Sequence, residues 1–356
     1  MENYQGGDYV CLFGFGRGAY IARCLAGLLS KVGLVPKVNE EHTFRRNYSI
    51  PVPIEFVGVW ETVASVGWIF KHLPFASSNT ITRRFRHAIA LDEHRMEFKP
   101  NPWHSHSGDL SEAKHDPDWQ TAIIEDDLEY HLGKPTDFKE VWFAGCHSDV
   151  GGGSSRNNDI HTLANSSFQW MVSEVLRYAP YVLFRPDASQ YENGFSALTV
   201  TKTDLIPKPA RSRIPVSFRR VATRCPSPSS APEYLNLLNN TADPITLNGT
   251  AAEEEQTVIV VEQTEPETDA NVPMNNQFIK RLVWLILEYI PTSQYYQDGD
   301  GIWHKRFRWN ALRPREIYNS SPNFHVSVKL RKDYEGKWLT KFVPQRGQQL
   351  KINYVE

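Results

Sequence analysis

Three glycines at alternate positions, Gly14, Gly16 and Gly18, follow a short apolar run and precede a segment with helical spacing. A strand that turns sharply into a helix around such a pattern forms a nucleophile elbow, which presents one side chain at its apex. In a working elbow that side chain is a serine that attacks an acyl carbon, whereas the apex here is Gly16. The pattern alone also fits an anion-binding turn or close backbone packing. Interpreted as a nucleophile elbow, the pattern indicates an acyl-transfer site that lacks its attacking atom.

Two further residues have the types and the order that such a site needs. An acid and then a histidine would follow the nucleophile along the chain. Glu61 comes directly after an apolar segment at 51–60, and His147 comes directly after another at 140–144. Each also has a structural interpretation, since Glu61 could satisfy N–H groups at a helix start and His147 could be an ordinary hydrogen-bonded loop residue.

Other side chains near these positions offer alternatives. Cys146 could form a Cys/His nucleophile with its neighbour, but adjacent residues leaving a strand usually point to opposite sides. Ser65 and Ser148 have no motif around them. Asp149 and the three following glycines are predicted to shape the turn that places His147. A His/Asp-rich stretch fits a solvated lid loop better than a metal site, because its spacing matches no specific ligand set; its members are His104, His106, Asp109, His115 and Asp116.

The apolar spacing predicts alternating strands and helices, and hence an α/β fold with a mostly parallel sheet. We expect strands at 9–13, 51–60 and 140–144, and a short strand at 258–261. We expect helices at 19–31, 81–91, 163–178 and 278–289. The first helix should bury Ile21, Cys24, Leu25, Leu28 and Leu29 and end at Gly33. The first strand would normally be central in such a sheet, which requires neighbours on both sides.

Composition limits the functional classes. The 356 residues carry a formal charge of −2, which gives no overall attraction to nucleic acid or to an anionic membrane. The four cysteines show no C-x-x-C spacing, no signal peptide is visible, and the longest apolar run, 282–290, is too short to span a bilayer. We therefore expect a cytoplasmic protein without a transmembrane segment, a metal or a cofactor.

Four segments in order resemble an uncharacterised α/β-hydrolase-like family that is common in fungi and whose bacterial relatives include type VI secretion lipase effectors. The segments are GFGRGAYIARCLAGLLSKVGLV (14–35), FVGVWETVASVG (56–67), FRHAIALDEHRMEFKP (85–100) and VWFAGCHSDVGGG (141–153). The C-terminal strings LVWLILEYIP and FHVSVKLR are also similar to fungal members. The resemblance implies an α/β-hydrolase core with a Ser–Asp–His triad that cleaves esters, which are phospholipids for the bacterial effectors.

Carried onto this chain, the triad falls on Gly16, Glu61 and His147, and the backbone N–H of Arg17 would help to hold the oxyanion. The family usually has serine and aspartate at the first two positions. It also begins earlier, with a strand bearing Asp-Gly-Thr that has no counterpart here. Glutamate can replace aspartate, but glycine cannot replace the serine, so we expect weak or absent hydrolysis. The alternatives are a pseudohydrolase that binds a lipid-like ligand or a protein partner, and a poorly folding fragment.

Three regions follow from these patterns. Residues 1–224 are predicted to form the hydrolase-like domain, shortened at its amino end relative to the family. Residues 225–275 are rich in Pro, Ser, Thr and Asn and contain three consecutive glutamates, which is typical of a disordered acidic insertion. Residues 276–356 are predicted to pack on the hydrolase-like domain.

Overall fold

The computed structural model describes the chain in segments, and the statements below concern these residues alone. They are residues 4, 8–34, 52–63, 65–66, 69–70, 82–103, 136–156, 159, 161–182, 198–201, 258–261, 269–276, 283–297, 303–335, 342–344 and 349–356. The His/Asp-rich stretch at 104–116 and most of the predicted acidic insertion lie outside them.

A sheet of six parallel strands forms the centre of the molecule. In spatial order its strands are β1 (Val10–Phe15), β2 (Ile54–Trp60), β5 (Thr82–Ala90), β6 (Asp137–Phe143), β12 (Asn323–His325) and β14 (Asn353–Val355). Every neighbouring pair is parallel, so all six carboxyl ends meet at one edge of the sheet. The predicted α/β class is confirmed. Among the strands described here, β1 lies at the border of the sheet and not at its centre.

Helices cover both faces of this sheet. On one face lie α1 (Arg17–Val32) and α5 (Val326–Glu335), and on the other lies α3 (Leu163–Tyr178). Alternate residues of β5 divide between the layers, because Phe85 packs toward α1 while Ala88 and Ala90 pack toward α3. The sheet is therefore buried on both faces, as parallel sheets require.

Strand β5 corrects the prediction of a helix over 81–91. Its buried positions include Arg86 and His87, and these polar residues break the continuous apolar run by which a central parallel strand is usually recognised. Both are paired inside the fold: Arg86 with Glu174 and Asp137, and His87 with Glu140. Ion pairs and hydrogen bonds between elements thus replace the expected hydrophobicity, and no local sequence pattern shows them.

Helix α1 buries only part of the face expected. Leu29 is buried and Leu25 is partly buried against the sheet, whereas Ile21 is 63% and Leu28 is 47% exposed. The other buried side chains of the helix are Ala19, Tyr20, Ala22, Arg23 and Ala26. Small alanines at helical spacing allow the helix to lie close on β1 and β2. The predicted end of the helix is confirmed, because Gly33 (φ 68°) donates its N–H to the carbonyl of Leu29 at 2.9 Å.

Shorter elements complete the described parts. They are α2 (His147–Gly151), α4 (Val283–Glu288), a 3₁₀ turn at Met96–Phe98, and strands β3 (Ser65–Val66), β4 (Ile69–Phe70), β7 (Leu198–Thr201), β8 (Val258–Val261), β9 (Thr292–Gln297), β10 (Trp303–Arg308), β11 (Arg315–Ile317) and β13 (Phe342–Pro344). Strands β9 and β10 form an antiparallel hairpin, and β11 pairs with β13.

The carboxyl end of segment 225–275 packs against the hydrolase-like core. Asp269 is buried beside α3, where it pairs with His161 at 3.0 Å, and the carbonyl of Ala270 accepts from Arg331. Val258–Val261 forms the expected strand, which pairs with β7. The boundaries of the three predicted regions stay a prediction. No helix in the described ranges is both long and apolar enough to cross a membrane.

Candidate active site

The elbow is formed where β1 passes into α1. Gly16 adopts φ 57° and ψ −117°, a conformation that is strained for residues with a side chain. Its N–H donates to the carbonyl of Trp60 at 3.0 Å, which fixes the turn to the end of β2. Arg17 follows as the first residue of α1, so its backbone N–H lies at the positive end of a 16-residue helix.

The two flanking glycines have different roles. A Cβ atom on Gly14 would lie 2.5 Å from the backbone of Gly18, so the strand and helix approach too closely for any other residue at position 14. A Cβ atom on Gly18 would meet nothing within 4 Å. Gly14 is therefore required for this close approach, whereas position 18 has room for a side chain.

Glu61 lies directly after β2 and is completely buried. It has a φ of 50°, which is uncommon for a residue other than glycine, and its N–H donates to the carbonyl of Ala88 at 2.8 Å. Its Oε1 accepts the N–H of Ala90 at 2.5 Å. The guanidinium of Arg315 binds both carboxylate oxygens, at 2.7 and 2.9 Å.

Arg315 decides the charge state of this carboxylate. Burial by itself would raise the pKa of Glu61, but the charge of Arg315 and the hydrogen bonds from Arg315 and His147 lower it to about 2. Arg315 also donates to the carbonyls of Ala90 and Phe98, so it ties β11 to the segment that follows β5. Glu61 is thus an ionised and fully hydrogen-bonded carboxylate.

His147 begins α2, just past the end of β6. Its Nδ1 lies 3.0 Å from Oε2 of Glu61, and its backbone N–H donates to Glu93 at 3.2 Å. The imidazole packs between the rings of Phe15 and Phe98, whose centroids lie 4.6 and 4.8 Å away. A carboxylate therefore fixes one ring nitrogen, and two aromatic rings restrict how the imidazole can turn.

The other ring nitrogen of His147 faces the elbow. A Cβ atom on Gly16 would lie 3.1 Å from Nε2 and 3.3 Å from Cε1. The structure therefore brings together the three positions predicted from sequence order: Gly16, Glu61 and His147. A carboxylate that orients a histidine toward an elbow is the arrangement that activates a serine hydroxyl in triad enzymes.

Asp149 organises the turn that carries His147. Its Oδ2 accepts the N–H of Cys146 at 2.9 Å and the N–H of Asn275 at 2.9 Å, and its Oδ1 accepts from Ser154 at 3.2 Å. Gly152 and Gly153 both adopt positive φ angles, which allows the chain to turn directly after α2. All of these contacts are structural, as expected for Asp149.

The alternative nucleophiles occupy different environments. Cys146 is buried, its thiol faces the carbonyl of Asp92 at 3.6 Å, and burial together with Glu93, Asp149 and Asp92 raises the pKa of the thiol strongly. Ser148 accepts the side-chain amide of Asn275 at 3.3 Å. Ser65 lies in β3. Within the described ranges, no three His, Cys, Asp or Glu residues are grouped so as to hold a metal.

Sequence reasoning did not find three residues that complete this site. Arg315 lies 254 positions from Glu61, and no motif connects them. Glu93 and Phe98 fall within segment 85–100, which resembles the family, but that resemblance implies no role for them. Glu93 also pairs with Arg95, whose guanidinium lies 3.5 Å from the centroid of the Phe98 ring. These contacts build the wall beside His147.

The α/β fold thus places Gly16, Glu61 and His147 together at the carboxyl edge of its parallel sheet. Residues 1–50 and 40–174 match the catalytic domain of the Tle1-like phospholipase effectors of type VI secretion. The resemblance predicted from the sequence is thereby confirmed: this part of the chain is phospholipase-like.

Two relatives extend the comparison. An uncharacterized protein of Saccharomyces cerevisiae is 33% identical over 28% of this chain, and the match spans 19% of the yeast protein. The crystal structure of an uncharacterized protein from Pseudomonas aeruginosa aligns with 52% of this chain and 27% of its own length, at 20% identity and a TM-score of 0.34. The chain thus spans well under two thirds of both relatives.

Proposed function

We propose that this chain carries a lipase- or esterase-like site that recognises acyl esters but is catalytically impaired. One observation carries the proposal: the glycine at the elbow apex faces Nε2 of His147, which would lie 3.1 Å from a Cβ atom added at that position. The histidine is already oriented by a buried carboxylate. Every part of the triad geometry is supported except the attacking oxygen.

The roles of the residues follow from their positions. With a serine at position 16, its oxygen would attack the ester carbonyl while Nε2 of His147 took the proton and later returned it to the leaving alcohol. Glu61 would hold Nδ1 and stabilise the imidazolium. The N–H of Arg17, at the start of α1, would donate to the developing oxyanion.

The substitution by glycine sets the expected activity. Loss of the serine from a triad costs on the order of a million-fold in kcat, while binding and oxyanion stabilisation retain about 10³–10⁴-fold over water. Hydrolysis by the unaltered chain should therefore be slow and should proceed without an acyl-enzyme.

A lipid ester is the substrate class that we propose. The phospholipase-like match of residues 1–174 supports it, as do the walls of the site, where Phe15 and Phe98 flank the histidine. An acyl chain can pack against such rings.

A non-catalytic pseudohydrolase is the second candidate, and Gly16 itself favours it. In this role the same cleft would bind a lipid-like ligand without cleaving it, or would bind a protein partner. A ligand that binds only the native state raises its melting temperature. A thermal-melt series with fatty acids, phospholipid monomers and lysophospholipids would therefore detect the lipid-binding form of this role.

The decisive experiment compares three proteins on short-chain acyl esters: the unaltered chain, Gly16→Ser, and Gly16→Ser combined with His147→Ala. We expect turnover to rise at least a hundred-fold with the serine and to fall back when His147 is also removed. Absence of any gain in a cooperatively folded Gly16→Ser protein would contradict the proposed ester-cleaving geometry.

A further inference from the structure

A patch of exposed apolar and aromatic side chains lies around α4 and the β9–β10 hairpin. Six large side chains that are 39% to 69% exposed belong to it: Ile286, Tyr289, Ile290, Phe307, Trp309 and Leu312. We call this set the α4–hairpin surface. Large apolar groups exposed together mark a surface that contacts something else.

A buried carboxylate holds the end of α4 and the turn after β10 next to each other. Glu288, at the end of α4, accepts the N–H of Leu312 at 3.0 Å and the side-chain amide of Asn310 at 2.5 Å. The backbone carbonyl of Glu288 also accepts the N–H of Ala311 at 3.0 Å. The turn that follows β10 therefore lies directly against the end of α4.

This turn has an unusual backbone. Ala311 and Leu312 both adopt left-handed conformations, with φ of 51° and 58°. Two consecutive left-handed residues other than glycine are strained, and such strain persists only where the surrounding contacts impose it. Here the contacts to Glu288 impose it, and the result is that Leu312 points outward, where it is 39% exposed.

The two sides of β10 differ in composition: one carries exposed aromatic side chains, and the other carries two arginines. Lys305, Phe307 and Trp309 are exposed on one side. Arg306 and Arg308 lie on the other side, where both pair with Glu316 at 3.1 and 2.7 Å. The outward side therefore presents aromatic rings beside a lysine, while the two arginines are paired with a carboxylate.

The α4–hairpin surface is joined to the wall of the candidate active site. Glu288 accepts the N–H of Met96 at 2.7 Å, and Asn310 donates to the carbonyl of His94 at 2.8 Å. Met96 begins the 3₁₀ turn that ends at Phe98, whose ring contacts His147. Whatever binds this surface is thereby held next to the site.

We propose that the α4–hairpin surface binds a lipid–water interface and so presents the site to lipid. Trp, Tyr and Phe beside basic residues is the composition that inserts into the headgroup region of a bilayer. Among described residues 286–297 and 303–313, the exposed charges are Lys305 and Arg313, and no carboxylate is exposed. Lys305 and Arg313 can contact anionic headgroups, although the net charge of −2 gives no long-range attraction. The proposal rests on the proposed function, since it names the physical form of the substrate.

Vesicle binding by the full chain tests this proposal. We would measure cosedimentation with phosphatidylcholine vesicles and with phosphatidylcholine vesicles that contain phosphatidylserine. The unaltered chain should bind both, and the anionic vesicles more tightly. Replacing Phe307→Ser and Trp309→Ser together should weaken binding by roughly ten-fold or more, because the buried apolar area is lost. Lys305→Glu with Arg313→Glu should remove the preference for anionic vesicles.

A matched control variant tests whether loss of any exposed apolar side chain would weaken vesicle binding. Ile21→Ser removes an equally exposed apolar side chain from α1 and should leave vesicle binding unchanged. Cooperative melting of each variant confirms that it folds. Unchanged binding by the Phe307/Trp309 variant would overturn the proposal. The proposal would also be overturned if the chain did not bind vesicles and instead self-associated through these residues, which sedimentation velocity would detect.

Different experimental results would contradict the proposed function and the proposed lipid-binding surface. Vesicle binding is measured with non-hydrolysable ether lipids and needs no catalysis. A Gly16→Ser protein that cleaves soluble esters but ignores vesicles would contradict only the lipid-interface surface. A chain that binds vesicles but gains no activity with the serine would contradict only the proposed function.

Discussion

A Cβ atom placed on Gly16 would lie 3.1 Å from Nε2 of His147, so the first atom of any side chain at the apex would touch the imidazole. This contact is tight, and the ring must move by a few tenths of an ångström to admit it. The rings of Phe15 and Phe98 bound that movement. Any new side chain at position 16 is therefore placed beside the base as soon as it is introduced.

Gly16→Ser should create a reactive nucleophile at a cost in stability. We expect covalent labelling by a fluorophosphonate, detected as a mass increase on Ser at position 16, and no labelling of the unaltered chain. The left-handed backbone should cost about 1–3 kcal/mol in the free energy of unfolding. Gly16→Ala is the matched control, since it should carry a similar cost without labelling. Equal labelling of both variants would show that another residue reacts.

Substitutions of the flanking glycines should give opposite results. Gly14→Ala forces a methyl group to within 2.5 Å of the Gly18 backbone, so we expect a loss of more than about 3 kcal/mol or failure to fold. Gly18→Ala lies in α1 with open space around it, and should be neutral or stabilising by about 0.5–1 kcal/mol. Urea denaturation measures both, and a well-folded Gly14→Ala protein would contradict the close approach.

Arg315→Met should destabilise the protein strongly at neutral pH. It leaves the Glu61 carboxylate buried without its cation, which typically costs about 3–5 kcal/mol. Arg313→Met removes an exposed arginine two positions earlier and should have little effect. Urea denaturation at pH 7 compares the two variants, and equal losses would contradict the special role of Arg315.

The same pair predicts how stability depends on pH. The folded pKa of Glu61, lowered to about 2, lies below its ordinary value of 4.5, so its contribution is present above pH 4.5 and is lost as the pH falls toward 2. Without Arg315, burial dominates and raises this pKa. The stability difference between the two proteins should therefore shrink on acidification, and a difference independent of pH would contradict this account.

His325 should make stability fall at mildly acidic pH. Burial and the charge of Lys139 lower its pKa from 6.5 to about 4, and its Nδ1 accepts the N–H of Ser327 at 3.2 Å. The contribution of a neutral His325 is thus complete above pH 6.5 and is lost as the pH falls to 4, on the order of 3 kcal/mol. His325→Gln should flatten the melting-temperature profile in this window, whereas Ser327→Ala keeps the imidazole and should keep the slope.

The elements that carry the site could be predicted because their signals are local. The glycines of the elbow, the apolar run of β2 and the strand before His147 each lie within about ten residues. Their order along the chain then placed Gly16, Glu61 and His147 at one sheet edge, where the parallel strands end. The need for glycine at position 14 also has a local cause, since a Cβ atom there would meet the backbone of Gly18, only four residues away.

The remaining features depend on contacts that are distant in sequence. Strand β5 was mistaken for a helix because its buried Arg86 and His87 find partners 88 and 53 residues away. Only part of the buried face of helix α1 could be predicted, because alanines beside Leu29, and not Ile21 or Leu28, meet the sheet. Arg315 could not be predicted, since only the folded chain brings it to Glu61.

The parallel pairing of β6 with β12 joins residues more than 180 positions apart, with Asn323 beside Val141 and Phe324 beside Trp142. During synthesis, the edge of β6 therefore stays without this neighbour until residues 323 and 324 have left the ribosome. Such distant pairing slows folding, and an open apolar strand edge invites aggregation in the meantime. Recombinant production should therefore benefit from chaperones and low temperature, and a chain shortened to stop before residue 323 should precipitate.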